Sequence, residues 1–230
     1  MSKRRIIRAF PAFIALALAS LQPATAAVFV HSVNVGPQTA GWTNTAILPQ
    51  FDPSLGQLGS VQIRFTGNLG GDVGVENLED KFNTVYGTLA GSFQLFDQTN
   101  GLLLTLNLSQ TGSTVLDPFD FNLDYAGASG YTFGLSTSGV GSVSYATPGD
   151  NLSPFIGLGT LQYTIATSDD SSATAGSGLP AFFSLLSGSG TLEITYETAL
   201  IPEPGTMVTF GAALAGCLAL RRRERKNWRT

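Results

Sequence analysis

Carboxylates are the side chains of this 230-residue chain with the widest scope for chemistry. Asp72, Glu76, Glu79 and Asp80 lie close together after Gly70-Gly71. Asp117, Asp120 and Asp124 form a second group around Pro118, and Asp169-Asp170 a third. Oxygen-rich loops of this kind suit Ca²⁺, which takes roughly six to eight oxygen ligands. The first group is therefore the candidate calcium site, although none has the Asp-x-Asp-x-Asp-Gly spacing of a dedicated calcium loop. The competing reading is turn chemistry, in which Asp side chains accept hydrogen bonds from the backbone just ahead. Paired carboxylates can also hydrolyse glycosides at the right separation. Other catalytic chemistry lacks parts. There is no Gly-x-Ser-x-Gly elbow. The sole cysteine, Cys217, is near the C-terminus, and the sole histidine is His31. A Ser-His-Asp set would have to use His31, and a histidine-rich zinc site lacks ligands.

Aromatic side chains offer binding rather than catalysis. Trp42, Tyr125 and Tyr131 are candidate glycan contacts, with Tyr86, Phe119 and Phe121 near them in type. Their faces would stack on sugar rings. The stretch from Asp117 to Tyr131 mixes aromatics, acids and glycine, as exposed binding loops do. The alternative is that these rings fill a core, where each contributes a large buried area.

The elements that would position these groups are strands. Val61, Ile63 and Phe65 alternate with polar residues. So do Leu89 to Leu95, Leu102 to Leu108, Leu161 to Ile165 and Leu192 to Tyr196. A spacing of two puts each apolar set on one face of a sheet. Five weaker candidates are 28–35, 42–48, 72–76, 131–135 and 142–146. Ser168 to Gly178 reads as a long loop. No sustained helical period occurs in the middle of the chain. About ten strands with frequent turn signals predict a single antiparallel β-sandwich or jelly roll over 27–198. That length carries an adequate core without disulfides.

Charge separates this middle from the ends. Ten of the twelve Lys and Arg residues lie before residue 9 or after residue 220. Between Ala27 and Ile201 stand only Arg64 and Lys81 against fourteen acids, a net charge of −12. Lys and Arg mark segments that stay on the cytoplasmic side of a membrane, so the acidic middle reads as exported. Such acidity argues against nucleic acid and anionic lipid as partners. It is compatible with cation binding or with simple solubility; an acidic monomer with no required cofactor is the expectation.

Residues 1–26 have the layout of a secretory signal: a basic start, an apolar stretch, and Ala24-Thr25-Ala26 as the small-x-small pattern. Signal peptidase is expected to cut before Ala27. An uncleaved membrane anchor is the alternative, but the apolar run is short for a span. Arg4-Arg5 matches the twin-arginine pattern poorly. At the other end, 201–226 holds Pro202-Glu203-Pro204, an apolar run from Met207 to Leu220, and the basic cluster Arg221, Arg222, Arg223 and Arg225. As a helix that run would be about 21 Å long, short of the roughly 30 Å bilayer core. It suits a transient stop better than a permanent span. The two prolines keep the preceding segment extended, a form a processing enzyme can grip.

This tail resembles the PEP-CTERM sorting signal of Gram-negative bacteria. The resemblance rests on the Pro202-Glu203-Pro204 motif, the apolar segment, the arginine cluster and their terminal position. It implies a membrane-anchored precursor, cleavage by an exosortase-type membrane protease, and delivery to the cell surface or beyond, in bacteria that make exopolysaccharide for biofilm. A sortase signal would need Leu-Pro-x-Thr-Gly, and a eukaryotic lipid-anchor signal would end in its apolar tail rather than in charges. The middle resembles the choice-of-anchor E domain through Trp42-Thr43, Leu48 to Gly56 and Val73 to Leu78. That likeness implies an exported β-domain and assigns no catalytic residue. The leading expectation is a non-catalytic surface or matrix protein. The alternatives are an exopolysaccharide-binding module and a secreted glycoside hydrolase.

Overall fold

The computed structural model describes residues 26–199. Nine strands follow in chain order: β1 (Val28–Thr39), β2 (Thr43–Pro49), β3 (Leu58–Glu76), β4 (Asn83–Phe96), β5 (Leu102–Leu116), β6 (Gly130–Ala146), β7 (Thr160–Asp169), β8 (Ser172–Ala175) and β9 (Ala181–Thr198). Two short 3₁₀ turns, Pro53–Leu55 and Ser153–Phe155, complete the elements. The strands make two antiparallel sheets. One has the order β1-β9-β3-β6; the other has the order β2-β7-β4-β5, with β8 also on β4. The expected antiparallel sandwich is the fold.

Strand count differs from expectation for two reasons. The candidates at 61–65 and 72–76 are one strand, β3, and those at 131–135 and 142–146 are one strand, β6. The glycines between them read as turns but lie inside strands, because neighbours come too close for a side chain. At Gly67 a Cβ would stand 2.8 Å from the Phe93 ring of the opposite sheet. Conversely, part of the expected loop at 168–178 is strand. β7 pairs β4 at Gly91↔Asp169, and β8 resumes at Thr88↔Ser172. Three residues pass on each side, so the register is kept across the interruption at Asp170 and Ser171. Asp170 N–H still donates to Ala90 O at 2.9 Å there.

Alternation dictates the core. In β3, Val61, Ile63, Phe65 and Leu69 face inward and are buried, while Gln62 and Arg64 face solvent. β4 presents Val85, Leu89, Phe93 and Leu95 from the opposite sheet. Phe65 and Phe93 meet across the interface with ring centroids 5.2 Å apart. Fully burying one such side chain contributes about 1.5–3 kcal/mol.

The chain enters and leaves at one end: Val28 pairs with Glu197, and Leu58 with Thr198. Pairing at the other end brings together Glu76, Gly130 and Ala181. The loops 77–82, 117–129 and 176–180 therefore share that far end.

Candidate functional site

Among the described residues, the far end gathers four of the five buried polar ones, Glu76, Asn77, Asn83 and Ser129. Two asparagines at strand ends stitch its three loops together. Asn77, buried, donates from Nδ2 to Lys81 O at 2.9 Å and to Asp117 O at 2.7 Å. Its Oδ1 accepts from Glu79 N–H at 3.1 Å. Asn83, also buried, donates to Ser177 O at 2.7 Å and accepts from Ser177 N–H at 3.2 Å. Backbone bonds add Asn77 N–H to Ser129 O at 2.9 Å and Phe119 N–H to Glu79 O at 2.9 Å.

Glu76 lies beneath this lattice and is wholly buried. Loop 117–129 folds over it, and Tyr125 N–H donates to Glu76 Oε2 at 2.7 Å. Glu76 Oε1 and Ser129 Oγ are buried with no hydrogen-bond partner among the described residues. A buried carboxylate held by one backbone donor is costly to keep. Its purpose here is structural at least in part, since it fixes the loop backbone at Tyr125, where φ is +57°.

The candidate calcium ligands do not assemble. Asp72 is exposed on β3, Glu76 is buried, Glu79 is half-buried and Asp80 is exposed. Among the described residues no three His, Cys, Asp or Glu side chains form a group able to hold a metal ion. Five other Asp residues act in turns. Asp52, Asp97, Asp120, Asp124 and Asp169 each accept from the backbone N–H two residues ahead, at 2.8 to 3.0 Å. Thr99 Oγ1 also donates to Asp97 at 2.7 Å, and these bonds hold the Asp97 carboxyl below the usual carboxylate range.

The candidate glycan contacts separate as well. Trp42 is a core residue: it is buried, with its ring edge-on to Phe93 at 6.3 Å. It cannot stack on a sugar. Tyr131 is half exposed and lies edge-on to buried Phe133 at 4.7 Å, on the inward row of β6. Tyr125 packs edge-on against Phe183 at 4.8 Å. Phe183 is level with Gly74, and Tyr131 with Val75, its neighbour in β3, so the two tyrosines flank opposite faces of one sheet. They do not form a common platform. Phe121 is the ring that sequence reasoning underrated: it is 92% exposed, at φ +69°, against Phe119 at 5.6 Å.

Pro202, Glu203, Pro204, the apolar run and the arginine cluster lie outside the described residues, as does Ala24. Ala26 and Ala27 are exposed ahead of β1. Among the described residues no helix is long and apolar enough to cross a membrane.

Comparison with known proteins bears on the tail and on little else. Among solved structures, the chain is similar to dimeric latent PorU from Porphyromonas gingivalis at 9% identity, covering 80% of this chain and 14% of that one with a TM-score of 0.30. It is also similar to the VP2 subviral particle of infectious bursal disease virus at 15% identity, covering 80% of this chain and 35% of that one with a TM-score of 0.27. The chain thus spans about a third or less of the structures it resembles. No curated protein sequence matches. Residues 200–223 match the family model described as the PEP-CTERM protein-sorting motif. That motif marks an exported chain with a membrane-anchored precursor, processed by an exosortase-type system.

Proposed function

We propose that this chain is a non-catalytic surface or matrix protein of a Gram-negative bacterium, whose sandwich is delivered outside the cell by cleavage of its tail. The sandwich belongs, in this reading, with choice-of-anchor E domains. The sorting motif at 200–223 carries the proposal. The position of the termini supports it. All buried apolar residues of the sandwich lie between Val35 and Tyr196, so cuts before Ala27 and near Pro204 leave the core whole. Five Asp carboxylates engaged by backbone N–H groups in turns, and Glu76 engaged by Tyr125 N–H, support this reading over hydrolysis.

Mass spectrometry of the protein recovered from the cell surface or medium is the test. Peptides should begin at Ala27 and none should extend beyond about Pro204. Alanines in place of Pro202, Glu203 and Pro204 should leave full-length precursor in the inner membrane. Normal release of that variant would refute processing at the motif.

One observation favours a second reading, binding of exopolysaccharide. Phe121 stands almost fully exposed beside Asp120 and Asn122, in a loop pinned at both ends. Retention on the producer's own polysaccharide, lost on Phe121→Ala and kept on Trp42→Phe, would establish it. Equal flow-through of all three proteins would dismiss it.

A further inference from the structure

The two lateral sides of the sandwich differ in how their edge strands are guarded. On one side the edges are β1 and β2. The β1 register breaks between Val35 and Gln38, where Pro37 offers no N–H. β2 is seven residues long and ends on Pro49. Short strands, prolines and bulges are the usual devices that stop an edge from pairing.

The other side has only one of them, a register break at Leu103 near the start of β5, between Leu95↔Leu104 and Phe96↔Leu102. Its edges are β6 and β5, of 17 and 15 residues. Neither contains a charged residue or a proline. β6 pairs β3 without a bulge from Ser60↔Ala146 to Glu76↔Gly130, and among the described strands it pairs with nothing else. About half of its residues therefore turn N–H and C=O outward. Between the two edges the interior is incompletely covered. Leu104, Leu106 and Leu108 of β5 and Leu135, Val143 and Tyr145 of β6 are only partly buried, though all pack on the core.

We propose that this side is the interface of a homodimer, joined by antiparallel pairing of β6 with β6 and of β5 with β5 of a second copy. A two-fold axis normal to the sheets reverses strand direction and keeps each sheet in its layer. One operation therefore satisfies both edges at once, as an isologous contact requires. Charge selects the same occupant. Copies with a net −12 between Ala27 and Ile201 repel wherever acids face each other, and here there are none. With no carboxylate on either edge, a basic partner gains nothing. Fifteen strand residues span about 50 Å and layers lie about 10 Å apart, a seam of roughly 500 Å² per partner. That is the small end of specific interfaces, so backbone pairing along the two edges supplies most of the attachment. The guarded far side stops growth at two. This revises the monomer expected from composition, and it holds whether or not the tail reading does.

The sandwich has a complete core within Val28–Thr198 and can be studied as that unit. Sedimentation at micromolar concentration should give twice the monomer mass. Ser138 and Val140 are exposed near the middle of β6. Ser138→Lys with Val140→Lys would place like charges across the axis and should weaken the dimer roughly tenfold or more, with an unchanged circular dichroism spectrum. Ser32→Lys, exposed on β1, should leave the dimer intact. Amide exchange in 102–116 and 130–146 should slow as wild-type concentration rises, a readout that needs no variant. A wild-type monomer at high concentration, a double variant that still dimerises, concentration-independent exchange, or growth into longer polymers would each overturn the proposal.

Discussion

Where the chain enters and leaves, rings fill the gap between the sheets: Phe51 sits 5.9 Å from Phe29 and 5.7 Å from Tyr196. Tyr196 then caps them, its hydroxyl donating to Pro49 O at 2.7 Å. At the far end the gap is closed by Glu76, Asn77, Asn83 and Ser129, all buried and polar. Apolar contact is non-directional and roughly proportional to area, so the ring end tolerates small shifts. Hydrogen bonds are directional and leave large penalties when broken. The far end therefore fixes three loops in one geometry, at the expense of being the part that fails if one member is lost.

The sharpest way to break the ring end is Phe51→Ala. The side chain is almost completely buried against two other rings, and truncation of such residues costs about 3–5 kcal/mol. A urea midpoint lowered in proportion, with an unchanged slope, is the expected result. At the far end, Asn77→Ala should cost about 1 kcal/mol for each part-buried hydrogen bond it removes. It orphans Lys81 O and Asp117 O together. Unlike Phe51→Ala, it should expose loops 77–82 and 117–129 to protease while the strands stay protected from amide exchange. Uniform loss of protection in both variants would mean that the two ends are not distinct in kind.

The contrast also explains which features could be read from the sequence. The strands with strict alternation, such as Leu89 to Leu95 and Leu192 to Tyr196, were legible because one face is buried and the other wet. β3 and β6 looked divided because glycine signals a turn unless a ring such as Phe93 is known to lie opposite. Trp42 looked available for a ligand because its burial depends on β4, a distant strand. The far-end lattice was invisible for the same reason. It needs segments near residues 77, 117 and 177 to meet, and only the pair Asn77 and Asn83 bracketing one loop hints at it. The sorting motif at 200–223 was legible because its signal is linear.

The smallest expected effect refines the ring end. Tyr196→Phe keeps the ring and removes one hydrogen bond, a loss of about 1 kcal/mol at neutral pH. Its consequence at alkaline pH is more specific. Burial pushes the Tyr163 and Tyr196 hydroxyls well above the ordinary tyrosine range. Unfolded tyrosines ionise near pH ~10, where the folded protein still holds both protons. Above that pH the unfolded state binds fewer protons than the folded state, so stability falls as pH rises. The stabilisation from both groups is complete below about pH 10 and is lost as pH climbs toward the folded values. Unfolding at neutral pH and near pH ~11 should show wild type losing more stability than Tyr196→Phe, because the variant has one fewer phenol raised by burial, Tyr163 and the less buried Tyr145 remaining. Equal losses would show that the Tyr196 hydroxyl is open to water, and that rings alone do not seal this end.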